Sequence, residues 1–335
     1  MNPSTDATTH DSDFKDRKTG LVIFGILTVL LGGICALLVP LMFFGQAMSA
    51  KSGVPPNTQA IIPATLMYVV LAVGLVWLGV GSMMARRWAR ALLLIFSWSW
   101  LIIGGFAIVV MAFVMPQILQ TFQPSALPGQ PEIPAAAKLL IIIIPMVMLG
   151  VIYVILPTAW VLFYGSRHVK ATCEAYDRTV RWTDRCPLPV IAVSLWLSFS
   201  ALMMLMMAVV YKGVLPIFGT FVVGPMGSAL CVLLALLWSY CAWALYRLDR
   251  RALWIVIGVI VIFCVSTFIT YSRHDIMEIY PLMGYSPEQI AEIAKLKFLK
   301  GSTMALASIC GAVPLIGYLL YLRRFFPGAN EETSA

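Results

Sequence analysis

Eight stretches of this chain stay apolar for about as long as a helix needs to cross a hydrocarbon layer, roughly 20 residues. They cover about residues 21–47, 61–85, 91–115, 139–165, 188–211, 218–245, 253–271 and 302–322, each bounded by charge, Pro or Gly. No soluble core of this length needs them. Hydrophobic residues make up 61% of the chain and charged ones 11%, against roughly 45–50% and 25% in an ordinary soluble domain. The pattern predicts an all-α, polytopic membrane bundle of eight transmembrane helices. The first run is too long for the h-region of a signal peptide, about 7–15 residues, and reads as the first membrane helix.

The formal net charge is +8. Phosphate neutralisation by Lys and Arg dominates nucleic-acid binding, but here the basic residues sit mainly in short connections between apolar runs, without an aromatic-interleaved basic surface. The expected partner is the lipid bilayer, not nucleic acid. Eight spans bring both chain ends to one side. That side collects sixteen basic residues, including Arg86, Arg87 and Arg90, five between the fourth and fifth runs, Arg247, Arg250 and Arg251, and Arg323 with Arg324. The other side collects seven: Lys51, Lys138, Lys212, Arg273, Lys295, Lys297 and Lys300. The bias of Lys and Arg toward the cytoplasm predicts that both termini are cytoplasmic. Residues 1–18 read as a disordered tail and residues 325–335 as a second cytoplasmic tail.

The two halves of the chain resemble each other. A shift of 161 positions lays Trp77 on Trp238, Arg86 on Arg247 and Arg90 on Arg251, so that two basic turns each join a pair of apolar runs. A shift of 157 lays Ala137 and Lys138 on Ala294 and Lys295, Pro157 on Pro314, Tyr164 on Tyr321 and Arg167 on Arg324. We therefore expect two tandem four-helix repeats, 19–167 and 188–324, joined by a cytoplasmic linker over 168–187. Four spans is an even number, so the copies are parallel, related by a pseudo-two-fold along the membrane normal.

Charged residues inside a membrane are costly and mark ion pathways or proton relays, yet none lies in the central part of any run. Arg86, Arg87, Arg90, Arg247, Arg250 and Arg251 have two readings: contact with anionic lipid headgroups, about 1 kcal/mol each, or membrane topology alone. Pro157 and Pro314 can kink helices beside a cavity, or simply shape the bundle. Gly32 with Ala36, and Ala307 with Gly311, have the spacing for close helix packing. Ser97, Ser99, Thr158, Ser239, Ser266, Thr267 and Thr270 can hydrogen-bond across helices or line a neutral path, though most are expected to bond their own backbone.

Outside the spans, Ser286-Pro287-Glu288-Gln289 carries the cap, the first-turn Pro and the Gln that begin a helix, an interfacial piece feeding the last span. His274, Asp275 and Glu278 could form a metal site or an acid–base pair, but no second His lies nearby and a solvated loop is favoured. Cys173 and Cys186 in the linker are expected to stay reduced. No Walker loop, nucleophile elbow or HExxH is present, and no cofactor is expected.

The pattern Gly79-x-Gly81-x4-Arg86-Arg87-Trp88-Ala89-Arg90, opening a Leu-rich span, resembles a turn seen in many uncharacterised bacterial inner-membrane proteins. The resemblance implies a bacterial plasma-membrane location and brings no activity or site residue with it. Charge-free spans and the empty motif list suggest a non-catalytic membrane protein that packs with itself or with another membrane protein. The alternative is a carrier or binder of a neutral or lipid-like small molecule at the interface of the two repeats. An enzyme centred on His274, Asp275 and Glu278 comes third.

Overall fold

The computed structural model describes residues 15–51, 58–121, 135–294 and 301–326. The expectations for residues 1–14 and 327–335, and for Lys295, Lys297 and Lys300, lie outside the described residues. In the first half the helices are α1 (Lys18–Lys51), α2 (Thr58–Met83) and α3 (Arg87–Thr121), then α4 (Ala135–Gly150), a π-helical turn (Val151–Ile155) and α5 (Leu156–Gly165) in one continuous span. Next come α6 (Arg167–Tyr176) and a 3-10 turn (Trp182–Asp184). The second half holds α7 (Leu188–Val210), a hairpin of β1 (Leu215–Ile217) and β2 (Thr220–Val222), α8 (Gly224–Tyr246) and α9 (Arg250–Arg273). It closes with a 3-10 turn (Ile276–Glu278), α10 (Ile279–Met283), α11 (Pro287–Ala294) and α12 (Gly301–Leu322). Among the described residues, eight helices are long and apolar enough to cross a membrane.

Each half pairs its first span with its second and its third with its fourth. α1 lies along α2 and α3 packs on α5; α7 lies along α8 and α9 packs on α12. In lipid no hydrophobic force draws apolar helices together, so close backbone approach and polar contacts must do it. Gly25 and Gly79 supply the first: a Cβ on Gly25 would sit 2.8 Å from the Gly79 carbonyl oxygen, and one on Gly79 would sit 2.7 Å from that of Gly25. Hydroxyl and indole groups supply the second. Ser82 Oγ lies 3.0 Å from the Leu21 carbonyl and 2.7 Å from Tyr164 Oη, and the Trp160 indole N–H donates to Thr28 Oγ1 at 3.2 Å. These bonds tie α1, α2 and α5 together.

The π-helical turn has a local cause. Pro157 lacks an N–H and its ring crowds the carbonyl four residues back, on Tyr153; one extra residue in that turn relieves the clash. α3 uses the widened turn, because Gly104 packs so close that a Cβ there would stand 2.7 Å from the Tyr153 carbonyl oxygen.

Two apolar cores form at the same end of the bundle. One gathers Leu21, Leu93, Trp160 and Tyr164 with Val169 and Cys173 of α6; the other gathers α7, α8, α9 and α12 around Val190, Leu245, Val256 and Leu322. The linker belongs to both, since Cys186 is part of the second. We call this the linker end and the opposite one the hairpin end. The sixteen basic residues of the sequence argument belong to connections at the linker end.

Three expectations change. The linker is not a plain connection, because residues 167–176 are helical. The tail is already ordered at its end, where the Arg17 N–H donates to Thr172 Oγ1 at 3.0 Å. The sixth run does not begin at Phe218: residues 218–222 form the turn and second strand of the hairpin, and the helix starts at Gly224. The small residues also divide, since Gly32 meets Ala72 and Val76 of α2 while Gly33 and Gly311 face open space.

The mutual approach of Gly25 and Gly79 admits no side chain. Gly79→Leu is expected to lower stability by about 2 kcal/mol or more, measured as a reduced unfolding temperature in mild detergent, whereas Gly33→Leu should leave it nearly unchanged.

Candidate functional site

The two basic turns have the same backbone. In the first, the Ala85 N–H donates to the Ser82 carbonyl (2.8 Å) and the Arg86 N–H to that of Gly81 (3.0 Å); in the second, Leu248 donates to Leu245 (2.8 Å) and Asp249 to Ala244 (3.0 Å). Ala85 and Leu248 both take the left-handed conformation, φ 51° and 61°, as a helix C-terminal motif of this kind requires. The matching positions are thus 163 apart. At that register Arg86 corresponds to Asp249, not to Arg247 as the arginine alignment suggests.

That difference decides the electrostatics. Asp249 caps its own helix, its Oδ1 accepting from the Arg251 N–H at 2.8 Å. The first turn has Arg86 where the cap should be, and the linker supplies the missing carboxylate. Asp177, only 3% exposed, accepts from the Arg87 N–H at 3.4 Å through Oδ2. It also takes Arg181 in a two-point contact at 3.1 and 3.2 Å and Thr179 Oγ1 at 2.7 Å, with Arg86 Nη1 at 3.9 Å. Burial alone would raise its pKa, but these hydrogen bonds hold it down at about 2. Arg87 pairs in addition with Asp184 at 3.9 Å and donates to the Glu174 carbonyl at 3.4 Å. Arg90 is mostly covered and lies within electrostatic reach of Glu174 and Asp184. Arg86 and Arg87 therefore pair with protein carboxylates, whereas Arg90 forms no ion pair among the described residues.

Arg247, Arg250 and Arg251 are different. Among the described residues none of them forms an ion pair, and Arg247 stacks its guanidinium 4.3 Å above the Trp243 ring. Trp243 in turn walls a groove of about 490 Å³, inside the usual range for ligand sites, about 300–1,000 Å³. One side is α7, with Ile191, Ser194, Leu195 and Ser198; the other is α8, with Ser239, Ala242, Trp243 and Tyr246. Both sets follow the i, i+3, i+4, i+7 spacing of one helix face. Trp182 of the linker closes the end, its carbonyl accepting from Tyr246 Oη at 3.0 Å. Ser194 is 8% exposed and its hydroxyl has no partner among the described residues. Ser198 and Ser239 bond backbone carbonyls four residues back, at 2.9 and 2.8 Å. The groove descends about 10 Å along the helix axes from Ile191 to Ser198.

Pro157 and Pro314 line neither this groove nor the one described below. Pro157 is buried against α3 and Pro314 is exposed, as Tyr164 is buried and Tyr321 exposed. The 157-residue alignment therefore joins positions with unlike surroundings.

At the hairpin end, Ser266, Thr270 and His274 stand at successive i+4 positions and hold the β-hairpin by its backbone. Ser266 Oγ accepts from the Phe218 N–H and Thr270 Oγ1 from the Gly219 N–H, both at 2.9 Å. Phe218 and Gly219 are the two turn residues, with φ 41° and 93°, the arrangement that matches strand twist. His274 Nε2 lies 3.0 Å from the Gly219 carbonyl and Nδ1 2.8 Å from Glu278 Oε2. Both partners are acceptors, so both bonds form at once only on the doubly protonated ring. The Glu278 hydrogen bond accordingly raises the His274 pKa, with Arg273 opposing, and the same bond lowers that of Glu278. Asp275 Oδ1 accepts from the Met277 N–H and Glu278 Oε1 from the Asp275 N–H. His274 and Glu278 do converge, but as a structural clasp with neither ring nitrogen open. Among the described residues no group of three metal-ligating side chains exists. Burial pushes the Cys173 and Cys186 thiols up to about 11, Arg90 partly opposing at Cys173, so both remain protonated near neutral pH. The Ser286–Gln289 cap is reciprocal as expected, at 3.0 and 3.4 Å.

Compared with family models, curated proteins and solved structures, the chain matches none. Of the hydroxyl residues singled out in the sequence, Ser239 lines the groove; its other serines, Ser194 and Ser198, lie on a different helix and its lid on a third segment, so no local pattern joins them.

Asp177→Asn is expected to cost about 2 kcal/mol near neutral pH. A depressed carboxyl stabilises fully above the ordinary carboxylate range and loses that effect as pH falls toward about 2. The gap in unfolding temperature between wild type and variant should close over that fall. The His274 clasp has the opposite sign on its alkaline side. With a raised folded-state pKa it is complete below the ordinary imidazole range and lost as pH rises through the raised value. Hydrogen exchange at Phe218 and Gly219, corrected for intrinsic rates, should quicken over that rise in wild type and be fast throughout in His274→Ala.

Proposed function

We propose that this chain is a non-catalytic membrane protein that holds one lipid-like amphiphile in the groove between α7 and α8. The observation that carries the reading is the groove itself: an apolar slot about 10 Å long along the helix axes, lined in part by Ser194, Ser198 and Ser239, with Trp182, Trp243 and Tyr246 at its upper end. Indole and phenol rings favour the level of the lipid headgroups, so an occupant with a polar head and an apolar tail would lie in register with both. The site falls within the second half of the chain rather than between the halves.

By the same charge bias we assign the linker end to the cytoplasm and, on the resemblance of the first turn, the membrane to a bacterial plasma membrane. We read the halves as two parallel copies of one four-span unit, on their shared pairing and shared turn. One observation favours assembly instead. A second groove of about 410 Å³, lined by Phe43, Gln46, Thr65 and Val69 among others, lies between α1 and α2 toward the hairpin end, where Thr65 Oγ1 is shielded and has no partner among the described residues. In that reading a helix from another protomer covers it.

Native mass spectrometry of the gently solubilised protein separates these readings. The amphiphile reading expects one retained small mass per chain, absent from Ser198→Trp, whose exposed side chain fills the groove without touching the core. A ligand-free wild type, or equal retention by the variant, would sink it, and a ligand-free dimer would favour assembly.

A further inference from the structure

The headgroup of that occupant follows from a charge imbalance, and this step rests on the groove reading above. The two basic turns share one backbone, which makes each a control for the other. In the first turn the linker brings Asp177 to Arg86 and Arg181, and Asp184 to Arg87. In the second, three arginines accompany one carboxylate, and Asp249 is committed to capping α9. The nearest acid of the linker segment that roofs the groove, Asp184, is turned to Arg87 and to the Arg181 N–H. The positive charge left over is therefore local to the groove mouth: Tyr246 and Trp243 are walls of the groove, Arg247 follows Tyr246 in sequence, and it lies on the Trp243 ring.

We infer that the groove takes an anionic phospholipid, its phosphate held by the Arg247–Arg251 turn and an acyl chain lying between α7 and α8. The guanidinium fork matches phosphate geometry, and stacking on Trp243 fixes Arg247 before the ligand arrives. A free phosphate would have only solvent-accessible arginines, two of them exposed, whose attraction physiological salt screens over about 8 Å. The chain in the groove is what makes the site.

The test uses the full chain, delipidated in mild detergent and titrated separately with dioleoyl phosphatidylglycerol and dioleoyl phosphatidylcholine, with one-to-one adducts counted by native mass spectrometry. The expected result is a preference of roughly tenfold to a hundredfold for the anionic lipid, falling about fivefold in Arg247→Gln and further in the triple variant R247Q/R250Q/R251Q. The triple lysine variant keeps the charge but loses the fork and the stacking on Trp243, and is expected to fall between wild type and the triple Gln variant. Raising salt should weaken the preference in wild type and leave the triple Gln variant unmoved.

If the triple Gln variant retains the full preference while Ser198→Trp loses both lipids, the headgroup inference is overturned and the groove stands. If Ser198→Trp binds both lipids as wild type does, the groove reading fails and takes the inference with it. Should the arginine variants not fold, the salt series on wild type decides, and a preference indifferent to salt overturns the inference.

Discussion

Asp177 accepts hydrogen bonds from a helix N-terminus, a guanidinium and a hydroxyl at once, and the closure of the first half at the linker end depends on it. α3 begins at Arg87 with Arg86 in the cap position, and so lacks a carboxylate cap of its own. Its first N–H groups and its arginines would otherwise face one another as an uncompensated concentration of positive charge. The linker folds into α6 to bring one carboxylate to that point, and α6 in turn buries Val169 and Cys173 against α1, α3 and α5. The second half needs none of this because Asp249 caps α9 locally. One position, Arg86 against Asp249, thus separates a turn sealed by the linker from a turn left open.

Packing within the bilayer uses a different set of devices. Apolar helices gain nothing from leaving lipid for one another, so the contacts that fix the helix pairs are those where backbone meets backbone or a hydroxyl meets a carbonyl. Gly25 with Gly79, Gly104 with the carbonyl widened out by Pro157, and the Ser82–Tyr164 bond are of these kinds. Between the halves the contact is small, between α7 and the pair α2 and α3, with the Trp196 indole donating to Ser99 Oγ at 2.9 Å.

Apolar length made the eight spans legible, and local side-chain logic made the Ser286–Gln289 cap legible, because both depend on residues near in sequence. What escaped depends on residues far apart. The arginine alignment by 161 followed side-chain identity, whereas the turn is set by which residue ends the helix, and that lies two positions away. The hairpin at 215–222 was absorbed into an apolar run because Phe221, Val222 and Val223 look the same in a strand as in a span; Gly213, Gly219 and Gly224, all at positive φ, were the signal passed over. The groove was illegible for a similar reason, since Trp182 reaches it only through the fold of the linker. In sequence the six arginines form one class, and only the position of Asp177 divides them.

The helices of the two halves differ in length. α1 and α3 have 34 and 35 residues, α7 and α8 have 23 each, or about 50 Å against about 35 Å at 1.5 Å per residue. A hydrocarbon layer of about 30 Å fits the second half nearly upright. α1 and α3 must lean or project beyond the layer, and the cost of either changes with bilayer thickness. The contact between the halves is small, so a change of thickness bears on α1 and α3 while α7 and α8, at 23 residues each, still match the layer.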